Sequence, residues 1–303
     1  SQARRPSEES NGPIMTRIAY VNGEFVPLAE ARISILDRGF LFADGIYEVT
    51  AVLDGGLVDH GHHMARLKRS LGEIGLSCPV GEEELTRLQL ELLRRNDLVE
   101  GTLYMQVTRG AGERDFRFPG RETPPSLVMF TQARNLVDNP EARTGIAVKS
   151  VEDLRWKRRD IKSIALLAQV LAKQEAAAAG CAEAWMVEDG FVTEGASSSA
   201  FIITRQGTLV ARPLNHEILP GVTRIAVLKL AGEQDLRFEE RRFSLKEAYE
   251  AEEAFNCSAG GLVMPVIRID GQNINGGTPG ALTRRLRLIY IEQAAGSVIQ
   301  NNI

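Results

Sequence analysis

The 303-residue chain has few of the features that mark secreted, membrane-spanning or nucleic-acid-binding proteins. Its three cysteines, Cys78, Cys181 and Cys257, are widely spaced and odd in number, which argues against a disulfide framework and favours a reducing compartment, the cytoplasm. No apolar run approaches the ~20 residues that cross a bilayer. The formal net charge of −4 argues against a general nucleic-acid binder. We therefore expect neither a membrane nor a nucleic-acid partner.

Familiar catalytic and nucleotide-binding motifs are also missing. The chain contains no G-x-x-x-x-G-K-[ST], no G-x-G-x-x-G after a strand and no G-x-S-x-G around a nucleophilic serine. Three histidines, His60, His62 and His63, crowd one segment, but neither H-E-x-x-H nor a cysteine pair accompanies them. We expect no metal site and interpret the segment as a solvated loop ahead of a helix.

Short strand patterns are mixed with helical patterns along the whole chain. Asn22-Gly23 predicts a tight hairpin turn, and leucines at helical spacing predict a helix over residues 82–95. Ser244 with Glu247 three residues later predicts a capped helix start. This mixture favours an α+β fold over a regular βαβ array. The predicted organisation is a disordered tail (1–14), a small N-terminal α/β domain (15–133), a polar linker (134–144) and a larger C-terminal domain (145–298).

Six segments occur in an order that is characteristic of one protein family. Each segment alone is a weak signal, but their shared order makes a chance agreement improbable. The segments resemble the class IV (fold type IV) pyridoxal-phosphate aminotransferases, and most closely the D-amino-acid aminotransferase branch. They are LDRGFLFADGIYE (36–48), HMARL (63–67), QVTRG (106–110), DIKS (160–163), TEG (193–195) and LPGVTR (219–224).

The resemblance implies a two-domain enzyme with pyridoxal 5'-phosphate bound in the interdomain cleft, assembled as a homodimer. The implied reaction is ping-pong transfer of an amino group from a D-amino acid, such as D-alanine or D-glutamate, to a 2-oxo acid. Lys162 would hold the cofactor as a Schiff base and move the proton at the substrate carbon. The alternative from composition alone is that Lys162 is one more solvated residue of a basic stretch, most of which we expect to face solvent.

The resemblance also implies the other cofactor contacts. Glu194 would pair with the pyridine nitrogen, and Arg66 would bind the phosphate with a planar, two-pronged guanidinium. Thr223 would complete the phosphate site from the start of a helix, where backbone N–H groups favour an anion, although a simple helix cap is also compatible with it. The remaining cofactor residues implied are Leu219, which would pack on the ring, Val222, Ser258 and Ala259.

The sequence departs from the family pattern at the positions that bind substrate and phosphate. Tyr47 and Arg114 match residues that bind the substrate carboxylate, but Phe116 stands where the family has a histidine. Ala259 replaces a hydroxyl residue on the phosphate side, and Ala165 and Ser199 replace asparagines. The loss of a donor at Phe116 leaves an (R)-selective amine aminotransferase open as an alternative. A branched-chain L-amino-acid aminotransferase and an aminodeoxychorismate lyase also share the fold.

Overall fold

The computed structural model describes residues 17–234 and 236–300, which fall into two compact units. The first unit contains the described residues up to Asn135 together with residues 298–300, and the second is Leu136–Ser297. The boundary follows Asn135, inside the segment predicted as a linker. The predicted tail, residues 1–14, lies outside the described residues.

The first unit is built on a six-stranded sheet in which all neighbouring strands are antiparallel. The order across the sheet is β2-β1-β6-β5-β3-β4. The predicted turn joins β1 to β2, where Asn22 and Gly23 have φ angles of 48° and 104°. The strands are β1 (Ile18–Val21), β2 (Glu24–Pro27), β3 (Gly45–Leu53), β4 (Gly56–Leu57), β5 (Gly101–Thr108) and β6 (Ser126–Ala133).

Within the described residues, three α-helices complete this unit. They are α1 (Arg38–Phe42), α2 (His60–Glu73) and α3 (Glu82–Arg95). The last two are amphipathic: α2 packs on β3, and α3 packs on β1 and β6. Asp37 starts α1 by accepting from the N–H of Gly39 at 2.8 Å, and it also accepts from the hydroxyls of Thr108 and Ser126. This buried carboxylate therefore ties α1 to the ends of β5 and β6.

The first unit also includes residues from the far end of the chain. Ile299 forms an isolated antiparallel bridge with Leu57, with backbone hydrogen bonds of 3.0 and 3.1 Å. The amide of Gln300 donates to the carbonyl of Asp54 at 2.7 Å. The short edge strand β4 is thus bordered by a segment that follows the whole second unit in sequence.

The second unit is built on a nine-stranded mixed sheet of order β12-β11-β10-β13-β14-β7-β8-β9, with β15 paired to β14. The pairs β11–β12, β14–β7 and β7–β8 are parallel, and the others are antiparallel. The strands are β7 (Ile146–Glu152), β8 (Glu183–Glu188), β9 (Phe191–Gly195), β10 (Ser199–Ile203), β11 (Leu209–Ala211), β12 (Phe238–Glu240), β13 (Glu253–Ser258), β14 (Leu262–Ile269) and β15 (Gln272–Asn273).

In the part of this unit that the structure describes, five α-helices flank the sheet. They are α4 (Pro140–Thr144), α5 (Leu167–Ala178), α6 (Val222–Glu233), α7 (Leu245–Glu250) and α8 (Ala281–Gly296). The predicted capping box of Ser244 and Glu247 is present at α7. Glu253 accepts from the first N–H groups of α8, at Leu282 and Thr283. Within the described residues, none of the helices is both long enough and apolar enough to span a membrane.

The structure adds detail to the sequence prediction in two segments. In the segment predicted as a polar linker, 134–144, α4 occupies the end, and Leu136 is buried, with its carbonyl accepting from Arg287. The strands β13 and β14 were not predicted as strands, although they lie near the centre of the sheet. Their run is almost continuously buried, so it lacks the alternation that marks a half-exposed strand.

Candidate active site

Glu194 is a buried carboxylate near the end of β9, and only 5% of its surface is exposed. The backbone N–H of Leu219 donates to both of its oxygens, at 3.2 and 3.3 Å. Two of the predicted cofactor residues are therefore in direct contact, although 25 positions separate them in the sequence.

The guanidinium of Arg155 is the counter-ion of Glu194. Its Nη1 donates to Oε1 of Glu194, while Nε and Nη2 donate to the two oxygens of Asp153 at 2.9 and 2.7 Å. Burial raises the pKa of Glu194, and the nearby Arg155 opposes that increase. Because Arg155 divides its donors between two carboxylates, the negative charge of Glu194 is only partly compensated.

The basic stretch before Lys162 is more buried than the sequence predicts. The side chains of Arg155 and Arg159 are 6% and 2% exposed, whereas that of Lys157 is 89% exposed. Arg159 donates twice to Glu188, both times at 3.0 Å. The expectation that most of this stretch faces solvent is wrong for the two arginines, since each is buried against carboxylate partners.

Lys162 is half-buried in a segment without regular secondary structure, directly after the buried pair Asp160-Ile161. The backbone N–H of Arg159 donates to the carbonyl of His216 at 3.0 Å. The segment that leads to Lys162 therefore runs beside the segment that leads to Leu219, the residue bonded to Glu194.

The start of α6 is suited to an anion. Val222 and Thr223 begin the helix and are 3% and 4% exposed. The N-cap Gly221 has no side chain that could accept from the N–H groups of the first turn, so these donors favour a negative ligand. A β-carbon at Gly221 would lie 2.7 Å from Oγ of Ser199, which places this hydroxyl close to the helix start.

The turn between β13 and β14 contributes the remaining predicted phosphate residues. Ser199 on β10 pairs with Cys257 on β13, and α6 packs on β13. The turn begins at the end of β13, so it lies next to the strand on which α6 packs. Ser258 and Ala259 are half-buried there. Burial raises the pKa of Cys257 to about 12, so this residue remains a thiol at neutral pH. Ser258 is thus the hydroxyl that the turn itself offers.

Arg66 lies in the first unit, on α2, and is 9% exposed. Its Nε and Nη2 donate to the two oxygens of Glu48, each at 2.7 Å. Nδ1 of His63 lies 2.7 Å from Oε2 of the same carboxylate. Burial alone would raise the pKa of Glu48. Arg66 and His63 more than offset this effect and lower the pKa to about 2, so Glu48 is ionised. Its carboxylate fixes the orientation of the arginine.

The histidine segment is not a solvated loop. His60 and His63 lie in the first turn of α2 and are 6% and 2% exposed, and only His62 is exposed. Nε2 of His60 lies 2.8 Å from Oγ1 of Thr86 on α3. These two histidines serve packing and hydrogen bonding within the first unit.

The predicted substrate residues form two groups in the first unit. Tyr47, on β3, stacks on Tyr104 of β5 with ring centroids 5.7 Å apart. Arg114 and Phe116 lie on the exposed loop after β5, where the Arg114 guanidinium carbon is 5.5 Å from the Phe116 ring centroid. The structure thus brings Arg114 and Phe116 together and places Tyr47 on the sheet.

Sequence reasoning assigned no role to Glu48, and it treated Arg155 only as one cation of the basic stretch that flanks Lys162. A signal was available for Glu48, because it shares the buried face of β3 with Ile46 and Thr50, where a charged residue requires a partner. No local pattern indicates that Arg155 pairs with Glu194, since 39 positions separate the two residues.

Taken separately, the groups of the second unit fit a phosphorylated pyridine aldehyde. An amine is present at Lys162, an incompletely compensated buried carboxylate at Glu194 suits a protonated ring nitrogen, and the uncapped start of α6 suits a phosphate.

The chain belongs to the class IV aminotransferases, since residues 45–269 match the sequence model of the family Amino-transferase class IV. Two relatives make the relationship more specific. The chain is 40% identical over 270 residues to a D-alanine aminotransferase of Staphylococcus aureus (strain N315), covering 88% of this chain and 94% of that protein. It is 38% identical over 268 residues to a D-alanine aminotransferase of Bacillus licheniformis, covering 88% and 93%.

Solved structures agree with this assignment of the fold. A branched-chain aminotransferase from the thermophilic archaeon Thermoproteus uzoniensis, with norvaline, superimposes with a TM-score of 0.79 at 27% identity, covering 92% of this chain and 95% of that one. A 4-amino-4-deoxychorismate lyase from Pseudomonas aeruginosa gives a TM-score of 0.75 at 27% identity, covering 91% and 99%. The predicted α+β, fold type IV architecture is confirmed.

Proposed function

We propose that this enzyme transfers the amino group of a D-amino acid, with D-alanine as the first candidate, to a 2-oxo acid by a ping-pong mechanism with pyridoxal 5'-phosphate. The observation that carries the proposal is the buried, partly compensated Glu194 in a chain that is 40% identical to a D-alanine aminotransferase. Bound pyridoxal phosphate supplies an aldehyde carbon for the amine and a ring that accepts the electron pair released at the substrate carbon.

The residues of the second unit hold and tune the cofactor. Lys162 would hold the cofactor through Nζ at the aldehyde carbon, and its free amine would move the proton at the substrate carbon. Glu194 pairs with the ring nitrogen and keeps it protonated. Leu219 packs against the ring, because its own N–H is anchored on Glu194.

The cofactor phosphate is bound by donors of three kinds. The first turn of α6 provides backbone N–H groups and the hydroxyl of Thr223, with Val222 beside it. Ser258 supplies a hydroxyl in the turn where Ala259 cannot. Arg66 supplies a guanidinium whose direction Glu48 fixes.

The substrate carboxylate is bound by Arg114 with Tyr47, and Phe116 supplies an apolar wall in place of a histidine donor. This wall is the feature that favours (R)-amines as secondary substrates. Branched-chain L-amino-acid transfer and the lyase reaction are disfavoured because the chain is 27% identical to each of the two solved enzymes described above, against 40% to a D-alanine aminotransferase.

We further propose that the enzyme works as a homodimer in the cytoplasm. Leu167, Val170 and Leu171 on α5 are 71%, 58% and 56% exposed, and side chains spaced in this way form one apolar stripe that a second copy would cover. The free cysteines, among them the buried Cys257, suit a reducing compartment.

The test is a visible absorbance spectrum of the purified protein after addition of pyridoxal phosphate. D-Alanine is expected to shift the absorbance band, and 2-oxoglutarate is expected to restore it. L-Leucine and an (R)-arylamine, added to separate samples, probe the alternatives. Lys162→Ala is expected to abolish the shift, whereas the control Lys157→Ala, which alters an exposed lysine of the same stretch, retains it. A shift that persists in Lys162→Ala would overturn the proposal.

A further inference from the structure

The loop that carries Arg114 and Phe116, residues 110–120, has little regular structure to hold it in place. It begins at Gly110, which has a φ of +86°, and most of its residues are exposed. Near its start, Ala111 forms an isolated bridge with Asp37, and the N–H of Gly112 donates to the carbonyl of Leu36. A loop of this kind needs further anchors if it is to present a side chain in one direction.

Arg38 provides an anchor for the middle of the loop. Its side chain is 5% exposed, and it donates from Nη1 to the carbonyl of Asp115 at 2.6 Å and from Nη2 to that of Phe116 at 3.4 Å. Nε of Arg38 donates to Asp44 at 2.9 Å, so the guanidinium is itself held in place. The anchored carbonyls belong to the two residues that follow Arg114.

Asp44 joins this anchor to a second one. It accepts from Nε and Nη2 of Arg109 at 2.8 and 3.0 Å, and the Arg109 guanidinium carbon lies 3.6 Å from the ring centroid of Phe118. Burial raises the pKa of Asp44, but Arg109 and Arg38 together hold it below its ordinary value, so Asp44 remains ionised. One carboxylate thus supports two arginines that both reach the loop.

The guanidinium of Arg114 lies against two aromatic rings. Its central carbon is 5.3 Å from the ring centroid of Phe42 and 5.5 Å from that of Phe116, and the two centroids are 5.3 Å apart. Phe42 lies on α1 with Arg38, whose guanidinium carbon is 4.7 Å from the same ring. Within residues 17–234 and 236–300, Arg114 makes no ion pair with a carboxylate. Its charge therefore remains available to a ligand, while the rings restrict its position.

We propose that Arg38 is a positioning residue for substrate recognition, which fixes Arg114 through the carbonyls of Asp115 and Phe116 and through the ring of Phe42. The inference rests on the proposed function, since it requires Arg114 to bind the substrate carboxylate. In this chain position 116 is a phenylalanine, and the rings of Phe42 and Phe116 hold the guanidinium of Arg114 in place. The affinity for the substrate carboxylate therefore depends on Arg38 and Phe42 of α1 as well as on the loop that carries Arg114.

The experiment measures steady-state transamination of D-alanine by the holoenzyme and its Arg38→Met, Arg114→Met and double variants. Arg38→Met is expected to raise KM for D-alanine about tenfold while kcat changes by less than about threefold, as for loss of an oriented charge contact. If Arg38 acts through Arg114, the double variant has a KM within about twofold of Arg114→Met alone. Arg117→Met is the matched control, because Arg117 contacts the side chain of Asp115 and is 87% exposed; its KM stays at the wild-type value.

Two results would overturn the inference. One is a wild-type KM in Arg38→Met, and the other is a double variant whose KM change is the product of the two single changes. Should Arg38→Met fail to fold, Phe42→Leu removes the ring contact without removing a buried charge, and an unchanged KM for D-alanine then refutes the inference. A wild-type enzyme that does not transaminate D-alanine refutes the proposed function first, before any variant is compared.

Discussion

Glu48 and Arg66 face each other through two hydrogen bonds of 2.7 Å, from Nε to Oε1 and from Nη2 to Oε2. Both side chains are buried, and His63 contacts the same carboxylate. A guanidinium held along one edge in this way cannot rotate freely, so its direction is fixed. The proposed phosphate contact of Arg66 therefore depends on the orientation that Glu48 imposes.

Glu48→Gln is expected to weaken cofactor binding by about tenfold, because the amide retains one acceptor but loses the charge that orients Arg66. The dissociation constant of pyridoxal phosphate from the apoenzyme, measured by absorbance titration, checks this prediction. Glu91→Gln is the control, since Glu91 binds Arg94 and Arg95 on the surface of α3. Equal affinities in both variants and the wild type would show that Arg66 is oriented by other means.

The carboxylate of Glu48 also makes the free energy of unfolding depend on pH in the acid range. Its pKa in the folded protein is about 2, below the ordinary value of 4.5, so protonation favours the unfolded chain. Its contribution, of order 3 kcal/mol, is complete above about pH 4.5 and is lost as the pH falls towards about 2. Urea unfolding of wild type and Glu48→Gln between neutral and acid pH checks this. The difference in the free energy of unfolding between wild type and Glu48→Gln should become smaller as the pH is lowered. A difference that does not change with pH would contradict the lowered pKa of Glu48.

Glu194→Gln is expected to lower kcat for D-alanine by about 100-fold or more, because a neutral amide cannot keep the ring nitrogen protonated. Bound cofactor, measured from the visible spectrum, should change much less than kcat. Glu188→Gln is the matched control, since Glu188 pairs with Arg159 and Lys157 in the same unit, whereas Glu194 is the carboxylate bonded to Leu219. Comparable losses in the two variants would mean that the effect is a general one on stability.

Arg155→Met is expected to move the acid limb of the kcat profile to higher pH. Arg155 opposes the increase that burial causes in the pKa of Glu194, so its removal raises that pKa further. Ionised Glu194 then persists only at higher pH. Arg158→Met, which removes a less buried guanidinium bonded to Asp160, should leave the profile in place. If the acid limb of the kcat profile of Arg155→Met moves to lower pH, or does not move, Arg155 does not control the pKa of Glu194.

Leu171→Glu is expected to shift the enzyme towards monomers, because it places a charge in the exposed apolar stripe of α5. Sedimentation velocity over a range of protein concentrations checks this. Leu288→Glu makes the same substitution at a leucine of α8 that is 68% exposed and lies outside this stripe, and it should leave the assembly unchanged. A monomeric wild type would contradict the proposed dimer directly.

Elements set by local signals could be predicted from the sequence. The helix over 82–95 has its predicted bounds, the Asn22-Gly23 turn joins β1 to β2, and the capping box starts α7. In each case the deciding residues lie within one or two turns of each other, so their spacing alone contains the information.

Features that depend on distant partners could not be predicted in the same way. The burial of Arg155 requires Glu194, which lies 39 residues away, and that of Arg38 requires the loop at Asp115, 77 residues away. Strands β13 and β14 lie inside the sheet, where a continuous apolar run fits a strand and a buried helix equally well. The site residues themselves were located by resemblance, because neither Lys162 nor Glu194 has a diagnostic local pattern.

The pairing of Ile299 with Leu57 has a consequence for the order in which the protein is made. A ribosome synthesises residues 298–300 only after all of the second unit, so the edge strand β4 has no neighbour on its open side during that time. The first unit therefore completes this edge only after more than half of the chain has been translated. Until then the open side of β4 can pair with other strands, and chaperones limit exposure of this kind.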